Sequence, residues 1–169
     1  DTWEEIGRIV DPRARAWNFG WPCYEGIARQ PGYEATSLAL CQSLYALGAG
    51  AVEAPFFTYA HTAQVVPGDA CGTGTSAVSG LAFYAGGPYP PPYDGTLFFA
   101  DYSRNCIWAM PRGTNGIPDP ARRFTFASGA PDPVDLQIGP GGDLFYVDFN
   151  GGAVRRITYF PRNRPPPAH

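Results

Sequence analysis

One six-residue pattern occurs twice and constrains the rest of the chain. Leu97-Phe98-Phe99-Ala100-Asp101-Tyr102 recurs 47 residues later as Leu144-Phe145-Tyr146-Val147-Asp148-Phe149. Each copy follows a glycine turn, Asp94-Gly95 or Gly141-Gly142, and each leads through a short turn into another apolar run. A period of about 40–50 residues built from several short strands is the signature of β-propeller blades. A sandwich with two similar hairpins has comparably even strand spacing and stays as the alternative.

The surrounding sequence reads the same way. Residues 56–61, 78–84, 96–101, 106–110, 122–127, 134–138, 144–148 and 153–159 are rich in β-branched or aromatic side chains. Gly/Pro/Asn clusters separate them, at 86–88, 113–116, 139–142 and 150–152. Such clusters supply the positive φ that tight hairpins need. One segment differs: Leu38, Cys41, Leu44 and Tyr45 recur at helical spacing and predict a helix over 35–47, with Thr36 or Ser37 as its cap and Gly48 as its stop. The expected fold is therefore all-β, a partial β-propeller with one short helical insertion. Residues 56–110 are expected to form one blade, 122–159 the next, and 4–10 a stray strand of a preceding one. Propellers close with at least about four blades, so further blades or other subunits are expected on the open edges.

Composition narrows the class. Hydrophobic residues make up 44% and charged residues only 16%, which excludes a disordered chain despite 21 Gly and 19 Pro. A net charge of −3, with no basic run, lacks the electrostatic footprint of a nucleic-acid binder. No apolar stretch approaches the roughly 18 residues of a membrane span. Cys23, Cys41, Cys71 and Cys106 contain no CxxC pair and only two His are present, which leaves a zinc site few ligands; the expectation is two disulfides in an exported protein, secreted or periplasmic, with four free buried thiols as the alternative. Chain order suggests Cys23 with Cys41 and Cys71 with Cys106, but four cysteines allow three connectivities. The first residue is Asp1 and not Met, so a processed or cut piece of a longer protein is expected. Residues 1–160 read as propeller, and 161–169, with Pro165-Pro166-Pro167, as a stiff linker toward another domain.

Several segments together carry a family likeness. Asn18-Phe19-Gly20-Trp21-Pro22-Cys23-Tyr24-Glu25-Gly26 resembles the NYGWP…EG segment of the glucose/sorbosone dehydrogenase family, the soluble quinoprotein aldose dehydrogenases. Trp3-Glu4-Glu5-Ile6 stands where that family carries an acidic segment. Ser79 to Gly86, Tyr89-Pro90 and Tyr93 to Tyr102 resemble one of its blades, and Pro133 to Ile157 its last. The resemblance is closest to the C-terminal blades of exported actinobacterial-type members, in which an ending like Asn163 to Ala168 leads into an Ig-like domain.

This resemblance implies a six-bladed ring that binds pyrroloquinoline quinone (PQQ) and Ca2+ and oxidises a sugar hydroxyl. It implies no catalytic residue in this chain, because the family's general base is a His on an earlier blade; His61 ends a strand and His169 is terminal. Glu5 is the candidate Ca2+ contact, with a solvated strand carboxylate as the alternative. Trp21 and Tyr24 are candidates for stacking on a sugar, or for packing their own loop. Arg155 and Arg156 put adjacent guanidinium groups on opposite faces of a strand, so at most one meets a quinone carboxylate. We take Arg155, with Arg104 in a neighbouring loop, as the candidate cofactor contacts. Asp101 and Asp148, repeated at equivalent strand ends, are expected to fix turns. Two further readings stand beside the sugar dehydrogenase: a non-catalytic propeller that binds carbohydrate or protein, and a structural subunit of a larger complex.

Overall fold

The computed structural model describes residues 2–161, except for the side chain of Ala49. The chain divides into two compact units, Asp1–Ala63 and Gln64–His169. It is mainly β, in several small antiparallel sheets. The Pro-rich linker expected at the C-terminus lies outside the described residues from position 162 onward.

The first unit opens with β1 (Trp3–Ile6), followed by a two-residue-turn hairpin of β2 (Tyr24–Glu25) and β3 (Ala28–Arg29). Two short helices come next, α1 (Pro31–Ala35) and α2 (Ala39–Ala46), and β4 (Phe57–Ala60) returns to pair antiparallel with β1. Ile6, Phe57 and Tyr59 bury their side chains, as strand alternation dictates. The expected single helix over 35–47 is thus two. Gln30 caps α1, its side-chain oxygen accepting from Tyr33 N at 2.8 Å, and Pro31 fills the first turn, where no N–H is needed. Thr36 closes α1 instead of opening a helix, and Ser37 turns left-handed at φ 51°. α2 then starts at Leu38 without a side-chain cap, and Gly48 follows its last turn at φ 82°, as expected. Of the apolar stripe, Cys41 and Tyr45 are buried and Leu38 is exposed.

The second unit holds two meanders. The first runs β5 (Val78–Phe83), β6 (Leu97–Asp101), β7 (Cys106–Met110) and β8 (Phe124–Ser128), adjacent in chain order. The second runs β9 (Pro133–Ile138), β10 (Leu144–Asp148) and β11 (Ala153–Ile157). Every residue of β6 and β7 is buried. That explains why both read as nearly unbroken apolar runs instead of alternating.

Two groupings made from sequence are corrected here. Residues 57–60 pair with β1, not with the sheet that contains β5. Residues 124–128 complete the first meander, not the second: β8 pairs with β7, and Phe126 packs on Phe98 with ring centroids 4.6 Å apart. The long β7–β8 connection, which folds on itself through an Arg112–Pro118 bridge, hid that pairing from a count of turns.

The repeat is realised in hydrogen bonds. Asp101 Oδ1 accepts from Arg104 N, and Asp148 Oδ1 accepts from Gly151 N, each three residues on. Both aspartates are buried and hold turns, as expected. Phe98, Ala100, Ile107 and Ala109 from the first meander pack with Leu136, Leu144 and Tyr146 from the second. Full burial of each large side chain is worth about 1.5–3 kcal/mol. The two sheets come close at Gly80, where an added Cβ would lie 2.3 Å from Leu136 N. Only glycine permits that approach.

The remaining face of β6 and β7 is covered in part by residues 64–77. Val65 is fully buried, and Asp69 Oδ2 accepts from Trp108 Nε1 at 2.9 Å and Thr125 Oγ1 at 3.0 Å. The disulfide Cys71–Cys106 ties that segment to β7, and Cys23–Cys41 ties the β2 turn to α2. Both pairings follow chain order.

Candidate functional site

A cleft of about 510 Å3 opens in the second unit beside β11. Ala127, Ser128, Gly129 and Ala130 form one wall, and Tyr146 with residues 154–157 forms the other. The first wall is anchored where Ala130 N donates to Asn105 O at 2.8 Å. In the second, the register Tyr146 opposite Arg155 puts both side chains on the face turned toward the first meander.

Arg155 and Arg156 both line this cleft, and Arg155 is the one paired across the strands with Tyr146, which lines it too. Arg155 Nε donates to Asp148 Oδ2 at 2.7 Å, and about half of the Arg155 side chain is exposed. The hydrogen bond to Arg155, with another from Gly151 N, holds the Asp148 carboxyl below its usual range; Asp148 in turn holds the guanidinium above its own. Among the described residues the terminal nitrogens of Arg155 meet no acceptor, and they can donate to an anion or a hydroxyl-rich ligand. Burial raises the Tyr146 pKa, so its hydroxyl is neutral at physiological pH.

Arg156 points to the opposite face. Its Nε and a terminal nitrogen both reach Asp143 Oδ2, at 2.6 and 2.5 Å, and its guanidinium lies 5.8 Å from the Phe145 ring centre. Alternation across the strand, anticipated from sequence, thus separates the two arginines. Asp143 is buried, and its Oδ1 has no hydrogen-bond partner among the described residues.

Arg104 sits elsewhere. Its side chain is buried, with Nε 2.7 Å from Ser76 Oγ, a terminal nitrogen 3.3 Å from Gly72 O, and Nε 3.8 Å from Asp101 Oδ2. It braces the 72–77 loop and is not part of the cleft.

The other sequence candidates belong to the first unit. Trp21 is 62% exposed and meets Tyr33 edge-on at 6.1 Å. Tyr24 turns inward, edge-on to Tyr45 at 5.5 Å, and lines a small cavity of about 140 Å3 with Phe19, Ile27 and Val52. Tyr45 Oη donates to Cys23 O at 2.8 Å, beside the Cys23–Cys41 disulfide. Glu5 accepts a hydrogen bond from Gly26 N. Burial raises its pKa, and nearby Glu25 and Glu4 add to that effect. His61 Nε2 lies 2.9 Å from Glu4 Oε1, consistent with its place at a strand end. Among the described residues, no three His, Cys, Asp or Glu side chains converge as a metal cage.

Sequence reasoning missed two polar residues of the second unit. Tyr89 inserts its hydroxyl between strands, accepting from Leu144 N at 2.9 Å and donating to Ile157 O at 2.6 Å. Asp143 occupies the position that Thr96 holds one repeat earlier, and that alignment was the available signal: both are buried directly before the repeated motif. A scan against protein-family models and a search of curated proteins return no match to this chain.

Proposed function

We propose that this chain supplies consecutive blades of a β-propeller in an exported quinoprotein-type sugar dehydrogenase, and that its share of the work is binding rather than proton abstraction. The observation that carries the reading is the pair of meanders. They share a repeat, a capping aspartate and a face-to-face junction at Gly80, and Arg155, held by Asp148, lines the adjoining cleft. Two disulfides fit an oxidising compartment. No described helix is long and apolar enough to cross a membrane.

PQQ carries three carboxylates, and the donors here suit one of them. Arg155 would hold that carboxylate through its terminal nitrogens, Asp148 would fix the plane of the guanidinium, and Tyr146 would limit water on one side. When bound, the quinone accepts two electrons and the protons released as a sugar alcohol becomes a carbonyl. Among the described residues no histidine lines the cleft. Ca2+ at Glu5 is part of the same reading: a half-buried carboxylate crowded by Glu4 and Glu25 gains from a cation, with backbone carbonyls completing its shell. Exposed Trp21 offers a flat face to a sugar ring. Its exposure also favours the second reading, a non-catalytic module that binds carbohydrate.

Fluorescence titration of the 169-residue chain with PQQ tests the proposal. Saturable quenching is expected. Arg155→Ala should weaken it at least tenfold, in line with about 1.5–3 kcal/mol for a hydrogen bond to a charged group, while Arg156→Ala leaves it unchanged. Absence of quenching, or equal loss in both variants, overturns the quinone assignment; binding of an oligosaccharide without PQQ then supports the second reading.

A further inference from the structure

We infer that the small cavity of the first unit binds a quaternary ammonium group of the kind that choline carries. The inference is independent of the quinone, sugar and Ca2+ readings, and it concerns residues of the first unit alone.

Two loop segments build the cavity. Phe19 and Tyr24 flank the turn that the Cys23–Cys41 disulfide ties to α2, and Val52 and Glu53 come from the segment that leads to β4. The segments are joined where Glu53 N donates to Asn18 O at 2.7 Å. Gly26 is buried in the wall with the Trp3 indole packed on it, 3.0 Å from where a Cβ would stand. Phe19, Tyr24, Val52 and Glu53 are half-buried and Ile27 is exposed, so the lining grades from an enclosed end to a rim.

Size limits the occupant. A volume of about 140 Å3 is four to five times the ~30 Å3 that a water takes up in the liquid, which suits a group of about five heavy atoms. A trimethylammonium group with its first methylene has that bulk, and a hexose with its hydroxyls is too large. The lining limits the chemistry further. Two aromatic rings, aliphatic side chains and one carboxylate do not supply the several oxygens that a hard metal ion requires. A quaternary ammonium has no N–H to satisfy, so apolar walls strand no donor, and its diffuse charge is drawn to ring faces. Phe19 turns its Cδ1–Cζ edge to Gly7, where an added Cβ would lie 2.8 Å from Cε1, and the rest of the ring lines the cavity. Tyr24 is held edge-on by Tyr45, and the nearby Arg29 has its charge balanced by Glu34 at 2.7 Å.

The local charge also favours a cation. Glu53 gives Oε1 to Arg15, and among the described residues its Oε2 meets no donor. A second carboxylate adjoins the wall: Glu5 accepts from Gly26 N, and Glu4 and Glu25 stand close enough to repel it. Carboxylates on both sides of a largely apolar cavity raise the local concentration of a positive ligand.

The test is calorimetry on the 169-residue chain with choline, EDTA present, backed by NMR line broadening of the choline N-methyl signal. Saturable one-to-one binding in the millimolar range or tighter is expected. The neutral isostere, with a tert-butyl group in place of trimethylammonium, should bind at least tenfold more weakly. Glu53→Gln should weaken choline binding several-fold and Arg15→Ala should strengthen it, because Arg15 competes for the same carboxylate. A folding defect would not move the two variants in opposite directions. Absence of saturable binding overturns the inference, as does equal binding of the isostere or a shift of both variants in the same direction. Phosphatidylcholine vesicles form the second arm: co-sedimentation that free choline relieves assigns the group to a lipid, and choline binding without co-sedimentation assigns it to a soluble ligand.

Discussion

Replacing Gly80 with alanine tests the junction on which the second unit depends. The added methyl carbon would lie 2.3 Å from Leu136 N, 2.6 Å from the Asp135 carbonyl carbon and 2.7 Å from Asp135 Cα. All three are backbone atoms in a paired strand, so no rotamer change relieves the clash. Ordinary contact requires more than 3.4 Å, so β5 and β9 must separate by about an ångström. Dispersion falls steeply over such a gap, with about a quarter to a half of each well lost. The layer affected includes Phe98, Ala100 and Leu136, all fully buried. Overpacking a close-packed core costs about 1–3 kcal/mol. Because backbone must move, Gly80→Ala is expected at or above the top of that range. Gly129→Ala is the control: its Cβ would meet nothing within 4 Å, but φ is +73°, so only left-handed strain of about 1–2 kcal/mol applies. Urea unfolding at 25 °C, followed by the fluorescence of buried Trp108, measures both. A Gly80→Ala cost no larger than that of Gly129→Ala would refute the close approach of the two sheets.

Thiol titration of the denatured, unreduced chain should find no free cysteine, and removing Cys71–Cys106 by double Ser replacement should cost about 3–4 kcal/mol, given its separation of 35 residues. Asp148→Asn should destabilise at pH 7. The Asp148 pKa is depressed in the folded state, so its contribution is present above the ordinary value of 3.8 and is lost as pH falls through the lower folded value; denaturant midpoints of the two proteins should therefore converge in acid. Burial raises the Tyr89 pKa from 10.0 to about 12, so the unfolded chain ionises first and stability should decline as pH rises between those values. Tyr89→Phe should lessen that decline, the other buried tyrosines keeping their share, and cost about 1–3 kcal/mol by stranding Leu144 N and Ile157 O, read from melts across alkaline pH.

Strand positions were legible because their signals are local. The expected ranges 106–110 and 144–148 coincide with β7 and β10, and most others differ by one or two residues at an end. Strand partnership was less legible because it is not local. Residues 57–60 and 124–128 look like neighbours of the strands nearest in sequence, yet pairing is decided by which faces find apolar cover. Phe126 finds Phe98, and Phe57 joins Ile6 in a buried face. The helix failed at Ser37 for a comparable reason. Periodicity over 38–45 was genuine, but a left-handed serine preceded it, and nothing in a count of apolar spacing reports φ.

Among the site candidates, Arg104 and Arg155 were indistinguishable by residue type, and the aspartate of the repeat explains why they part. Asp101 and Asp148 occupy the same place in each meander, and each has a guanidinium within reach. In the first copy the arginine stands three residues after the aspartate, in the turn itself. The Cys71–Cys106 disulfide draws the 72–77 loop over that turn, so Arg104 is buried between Ser76 and Gly72. In the second copy the same turn position is Gly151, where a Cβ would lie 2.3 Å from the Asp148 carboxylate. With no side chain there, Asp148 takes its cation from β11, a strand whose neighbour cleft is open. The same aspartate thus fixes one arginine as a loop brace and presents the other to a ligand, and the difference lies in whether a side chain fills the turn.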